Sequence, residues 1–278
     1  MSDQEIYSVT VKPSQGWSSL NWRELWNCRE LLFFLTWRDI KVRYKQTVFG
    51  ITWAVLQPFL TMVVFTIFFG KLAKMPSDGI PYPIFAYSAL LPWQLFSHAV
   101  SDAANSLVAN QQLITKVYFP RLIIPVASIL GGLVDFLFAF FILVMMMVYY
   151  GFFPTWRMLL LPLLVLLTAF ISLGAGFWLA SLNVKYRDVR YAIPFLIQIW
   201  FFATPITYPT SLIQNSSWRY VYSLNPMVGV AEGFRWVLLA ETAGLGSLLM
   251  ASLMSAVLLV VGGLIYFRNT ERTFADII

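Results

Sequence analysis

Apolar residues in this chain fall in long unbroken runs rather than in a short repeating pattern. The runs near 48–69, 84–106, 122–149, 158–182 and 246–267 each match the roughly 20 residues that cross a bilayer as a helix. A sixth run, near 191–204, is shorter and gives way to Thr204, Pro205, Ile206, Thr207, Tyr208 and Pro209, a sequence that cannot continue a helix. Ten-residue segments of alternating polarity, the mark of a membrane barrel, are absent. The pattern predicts an all-α membrane protein with about six transmembrane helices.

Three further segments are neither spans nor plain loops. Ahead of the first run, Trp22, Trp26, Phe33, Trp37, Ile40 and Tyr44 recur at helical spacing on one face, with Arg38, Lys41 and Lys45 as a basic stripe beside them. Such a helix lies in the headgroup layer, rings in the acyl boundary and cations toward lipid phosphates. Between the second and third runs, 106–117 predicts a short helix that ends before Pro120. Its Leu107, Leu113, Ile114 and Val117, with Tyr118 and Phe119 just beyond, are more apolar than a solvated loop requires. They either dock another protein or pack on the chain's own spans. After the broken fifth run, Asn225–Pro226 is a turn signal and 228–239 is apolar but too short to span. It predicts a re-entrant or gate segment before the last span, lining the outer mouth of a pathway.

Composition sharpens this picture. With 59% hydrophobic and 12% charged residues, the chain cannot cover a soluble surface. Most of its aromatics, Trp53, Phe65, Phe68, Phe69 and Trp156 among them, read as an interfacial belt or lipid-facing rings, and a minority are free to line a conduit and stack on sugar faces. If the loop after the first run faces outward, Lys71, Lys74, Arg157, Arg219 and Arg235 lie on that side and the other 14 of 19 Lys and Arg residues lie on the opposite one. Basic loops stay cytoplasmic, so both termini are expected inside. The expected organisation is a cytoplasmic tail over 1–21, an interfacial helix over 22–45, a membrane domain over 46–268 and a second cytoplasmic tail over 269–278. Residues 1–20 lack the apolar core of a signal peptide.

Candidate chemistry is sparse. One cysteine, Cys28, and one histidine, His98, exclude an internal disulfide and paired-ligand metal motifs. The sequence contains no GxxxxGK[ST], HExxH or GxSxG, so neither a phosphate loop nor a familiar hydrolase centre is expected. The ionisable residues at membrane depth are His98, Asp102, Asp135, Glu232 and Arg235. His98 and Asp102 are four apart and Glu232 and Arg235 three apart, each pair on one helix face. Asp135 has no local partner and reads either as structural glue or as part of a pathway. A proton-coupled transporter using Asp135 and the His98–Asp102 pair is therefore one reading. A membrane glycan transferase, which needs acidic pairs at the membrane edge, is disfavoured.

Six stretches, in order, resemble one known family. They are Arg43-Tyr44-Lys45-Gln46-Thr47 with Gly50 and Trp53; Leu91-Pro92-Trp93 with Phe96; Lys116-Val117-Tyr118-Phe119-Pro120-Arg121; Asn183-Val184-Lys185-Tyr186-Arg187-Asp188; Thr204-Pro205-Ile206-Thr207-Tyr208; and Asn225-Pro226. The order is similar to that in permease subunits of ABC exporters for polysaccharides and polyol phosphates, the O-antigen, capsule and teichoic acid type. The resemblance implies an elbow helix carrying Trp37, Arg38, Lys41, Arg43 and Lys45, and a coupling helix with Asn110, Leu113, Ile114, Lys116 and Tyr118 that docks on a separate ATPase. It implies gate or channel positions at Trp93, Tyr208, Glu232 and Arg235. It also implies a homodimer with two ATPase subunits in the bacterial inner membrane. ATP and magnesium would sit on the ATPase, with no cofactor in this chain and no nucleic acid, and a lipid-linked glycan would be the cargo. An ABC permease for a drug or lipid is the nearest alternative.

Overall fold

A computed structural model describes residues 22–45, 52–213, 218–239 and 245–274. The tail over 1–21, the Gln46, Thr47 and Gly50 positions of the first motif, and Glu241 lie outside the described residues. Among the described residues the elements are helical: α1 (Trp22–Asn27), α2 (Arg29–Lys45), α3 (Thr52–Phe65), α4 (Tyr82–Ala109), α5 (Gln111–Lys116), α6 (Ile123–Tyr150), α7 (Leu161–Lys185), α8 (Val189–Phe202), α9 (Trp218–Ser223), α10 (Pro226–Leu239) and α11 (Leu245–Glu271). A π-helical stretch, Thr66–Leu72, extends α3, and a 3-10 turn, Trp156–Leu160, leads into α7.

Four stretches are long and apolar enough to cross a membrane: Thr52–Leu72, Ile123–Tyr150, Trp156–Lys185 and Leu249–Glu271. The remaining long helix, α4, is different in kind. Nineteen of its 28 residues are buried, and α3, α6, α7, α8 and α10 all pack on it. A helix that lipid does not reach can carry polar side chains provided its neighbours pair them. So α4 holds Tyr87, whose hydroxyl donates to the Ala139 carbonyl at 3.0 Å, and Asn105, which accepts from Asn183 Nδ2 at 3.2 Å. Asn183 Nδ2 also donates to the Ala104 carbonyl at 2.9 Å, tying α7 to α4.

Helix ends follow local chemistry. Gly151 ends α6 at φ +76°. There the Phe152 N–H donates to Met147 and the Gly151 N–H to Val148, which satisfies two terminal carbonyls. Pro81 and Pro83 flank the start of α4, where a missing N–H costs nothing. One expectation changes: the elbow is not one helix, because it breaks at Cys28, between α1 and α2. The fifth span, α8, is short as expected, with 14 residues, a rise of about 21 Å against a hydrocarbon core of about 30 Å. It goes part of the way and hands the chain to the broken segment that follows.

The α7–α11 contact is as close as two backbones allow. A Cβ at Gly263 would lie 2.5 Å from the Gly174 carbonyl oxygen, and a backbone atom cannot step aside. Gly263→Ala should therefore lower the stability of the purified chain by about 1–3 kcal/mol through overpacking. Gly131→Ala, whose new methyl meets nothing nearer than Asp39 Cβ at 4.0 Å, should be nearly neutral. Thermal unfolding of both variants in the same detergent checks this, and equal melting temperatures would contradict it.

Candidate functional site

Three of the five ionisable residues at membrane depth, His98, Asp102 and Asp135, gather where α2, α3, α4 and α6 meet. Arg43 reaches inward from the end of α2, donating from Nη2 to Asp102 Oδ2 at 2.7 Å and from Nη1 to Asp135 Oδ2. The neighbouring Tyr44 hydroxyl donates to the other oxygen of Asp135. One guanidinium thus bridges carboxylates on two different helices, α4 and α6. Burial by itself would lower the Arg43 pKa, but Asp135 and then Asp102 outweigh it, and the group is held above its ordinary value. Burial first, and then the bond to Asp135, push the Tyr44 phenol upward, so it stays protonated and keeps donating.

This cluster corrects one expectation and completes another. Arg43 does not lie with Lys41 and Lys45 among lipid phosphates. Both lysines are exposed, whereas Arg43 turns in because two carboxylates in a low-dielectric region need a countercharge. Asp135 has no local partner, as expected, and takes its partners from residues more than ninety positions away in sequence. Along the rest of the elbow the ring and charge contacts are local. Phe33 stacks on Trp37, Lys41 Nζ lies 5.8 Å over the Trp37 ring, and Arg38 pairs with Asp39 at 2.8 Å.

Beside the cluster is a cavity of about 420 Å³, lined by Arg43, Trp53, Gln57, Gln94, His98 and Asp102 among others, with Leu91, Leu95 and Phe136 as apolar wall. His98 and Asp102 do share this space, as their spacing implied.

The helix after α4 is shorter than expected. Ser106 to Ala109 belong to α4, and Asn110 is the joint. Its Nδ2 donates back to Ser106 at 2.8 Å, and its carbonyl accepts from Leu113 at 3.0 Å. Ile114 is 5% exposed and packs with Leu35, Phe119, Ile123, Val184 and Phe267. Its side chain therefore holds the chain's own helix ends together, and Leu113 is half-buried against the same group. Lys116, Val117 and Tyr118 are exposed, Tyr118 at 71%. They, rather than Ile114, form the outward surface.

The third feature is the broken segment 204–209. Arg235, at 0% exposure, donates from Nη1 to Glu232 Oε1 at 2.8 Å and from Nη2 to the Ile206 carbonyl at 2.9 Å. Its guanidinium carbon also lies 3.7 Å over the Phe85 ring. Tyr82 donates to the Thr207 carbonyl at 2.8 Å. Carbonyls that proline frees from the helix are thus satisfied by side chains of α4 and α10, as hydrocarbon demands. Glu232 and Arg235 were expected to face a conduit or a second subunit; they face this chain's own core, and 13 of the 14 residues of α10 are buried with them. Trp93 is likewise inside, packed on Phe96 and Phe201. Tyr208 is bonded to the Tyr222 hydroxyl and half-buried.

Asn225 does more than the turn it signalled. Its Oδ1 accepts from Trp200 Nε1 at 2.8 Å and from the Met227 N–H at 3.0 Å. Its Nδ2 donates to the Ala203 carbonyl and to Thr204 Oγ1, both at 3.0 Å. One amide locks the end of α8 to the start of α10.

The family profile described as ABC-2 type transporter matches residues 30–239, the greater part of the sequence. The chain belongs to the ABC-2 type transporter family. The O-antigen export system permease protein RfbA of Myxococcus xanthus is 33% identical over 256 residues, covering 91% of this chain and 97% of the relative. A Klebsiella pneumoniae protein of the same name is 28% identical over 254 residues, covering 90% and 95%. The polysialic acid transport protein KpsM of Escherichia coli is 26% identical over 244 residues, covering 84% and 91%. The family match runs from α2 to the end of α10, so it includes this ABC-2 chain's elbow, charged cluster, α5 and broken segment.

Removing Arg235 alone leaves a buried carboxylate and a buried carbonyl without partners. Arg235→Ala should therefore destabilise this ABC-2 permease by about 3–5 kcal/mol, and Glu232→Ala/Arg235→Ala should recover part of that loss. A double-mutant cycle on thermal stability checks it; additive single effects would contradict the pairing. At the elbow, Arg43→Ala should cost about 1–3 kcal/mol, after discounting for its partial exposure. The loosened elbow should let the Cys28 thiol react faster with a maleimide. Unchanged Cys28 kinetics would mean that Arg43 does not hold α2 down.

Proposed function

We propose that this chain is the membrane-spanning subunit of an ATP-driven exporter that moves a lipid-linked polysaccharide or polyol phosphate polymer from the cytoplasmic side outward. The observation that carries this reading is the end-to-end similarity to permeases named for O-antigen export and polysialic acid transport. Since the sequence has no GxxxxGK[ST] loop, hydrolysis belongs to a separate ABC ATPase, which holds ATP and magnesium.

Two permeases and two ATPases assemble, and the conduit runs between the permeases. Exposed apolar rings on α3 and α8, among them Phe59, Phe195 and Phe202, supply surface for such a pairing. The ATPase docks on the outward side of α5 and the turn after it, through Lys116, Val117 and Tyr118. The protein sits in the bacterial inner membrane with both ends in the cytoplasm. In support, Leu35 of α2, Ile114 of α5 and Phe267 of α11 share one cluster, and the Arg121 guanidinium donates to the Glu271 carbonyl. These segments therefore lie on one side, the side with most of the basic residues.

Deleting the gene should abolish surface polysaccharide and leave the lipid-linked glycan inside, and the chain supplied with its ATPase should restore export. Normal surface glycan in the deletion strain would overturn the proposal. Tyr118→Asp should leave the permease folded but reduce ATPase copurification and export, and full copurification would remove this surface from the docking site. In a Cys28→Ser background, Ser77→Cys should label from outside intact cells and Thr115→Cys only after permeabilisation. The reverse pattern would invert the topology.

A further inference from the structure

The cavity beside Arg43 holds more polar chemistry than anchoring an elbow requires. Its walls come from α2, α3, α4 and α6, and its lining divides into two kinds. Asp102, Gln57, Gln94, His98 and Ser101 are polar; Leu91, Leu95, Pro58 and Phe136 are apolar, and the two kinds alternate along α3 and α4, with the Trp53 ring half-exposed at the start of α3. Asp102 is seven positions from the end of α4 at Ala109, a depth of about 10 Å. The site therefore opens in the leaflet on the α5 side, at a level where charge persists only if it faces water, a partner or a ligand.

The charges say what that ligand is not. Arg43 is the one lysine or arginine among the lining residues, and both of its terminal nitrogens are engaged by Asp102 and Asp135. Two carboxylates, Asp102 and Asp135, stand against that single guanidinium, so a phosphate group would be repelled. A simple cation fits poorly too, because the Gln57 and Gln94 amides bring donors as well as acceptors. Mixed donors and acceptors interleaved with apolar side chains and an indole match a pyranose ring. Its hydroxyls both donate and accept, and its C–H face is apolar. The volume lies in the usual range for a small-molecule site.

We propose that this cavity is a subsite for one sugar ring of the transported glycan, entered from the inner leaflet and distinct from the conduit between permeases. The proposal rests on the reading of the chain as a glycan exporter's permease. Asp102 and the two amides take the ring's hydroxyls, Trp53 covers its C–H face, and Arg43 positions the carboxylates. Bound there, the sugar lies against the end of the elbow helix, where its arrival is felt by α2.

The test uses the whole permease–ATPase complex in cells that make the native lipid-linked glycan. A photoreactive benzophenone side chain replaces Ala54, which lines the cavity without a proposed contact, or Leu137 on the exposed face of α6 as a control, and adducts are analysed by mass spectrometry after irradiation. The expected result is a sugar-bearing adduct at Ala54, not at Leu137, that falls several-fold when Gln57→Leu and Asp102→Asn are added. Mild acid cleaves sugar–phosphate–lipid linkages, so the adduct mass before and after acid tells a lipid-linked ring from a free saccharide. An adduct holding lipid chain without sugar overturns the subsite, and so does no adduct while glycan export proceeds. A wild-type complex that exports no glycan overturns the proposed function instead, and the subsite falls with it.

Discussion

Hydrocarbon offers no hydrogen bonds, so each polar group this chain takes into the membrane must find its partner within protein or face a wet cavity. The structure meets that constraint on α4 by surrounding a helix that carries several polar side chains with other helices. Tyr82, Tyr87, Asn105 and Asp102 all lie on it, and each is hydrogen-bonded to another helix or to the broken segment. Of the helices packed on it, α3, α6 and α7 are apolar enough to meet lipid. Polarity of sequence and position in the bundle are thus one fact seen twice.

The same constraint explains why a helix can stop in mid-membrane. α8 ends after 14 residues, and the carbonyls beyond it are met by Arg235, Tyr82 and Asn225. An arginine is suited to this because one planar group can bond a carboxylate and a carbonyl at once while its face lies on a ring. Arg235 does all three. The segment is therefore held by side chains of α4 and α10, and α10 is a buried wall of the bundle.

Where the elbow meets the ends of the spans, apolar packing ties several elements together. Leu35 of α2, Ile114 of α5, the start of α6, Val184 of α7 and Phe267 of α11 form one apolar cluster. Arg43 adds an electrostatic fastening at the other end of α2, about 12 Å from Leu35 along the helix. Packing and charge hold the elbow at two points.

Much of this was legible in the sequence. Long apolar runs fixed the helical membrane class, because length and hydropathy are properties of a segment alone. The turn chemistry of Pro205, Pro209, Asn225 and Pro226 marked where the fifth span would fail, since proline acts locally. Spacing paired Glu232 with Arg235 and placed His98 beside Asp102, as neighbours on a helix must be. Spacing could not say which way a pair faces. Glu232 and Arg235 turned inward because α4 offered a ring and the broken segment offered a carbonyl, and both come from elsewhere in the chain. Asp135 met Arg43 and Tyr44 across more than ninety residues, and Ile114 faced the core although its neighbour Tyr118 faces out. What a residue does within its own helix is written in sequence order; what it meets is decided by which helices the bundle brings side by side, and that depends on the packing of all of them at once.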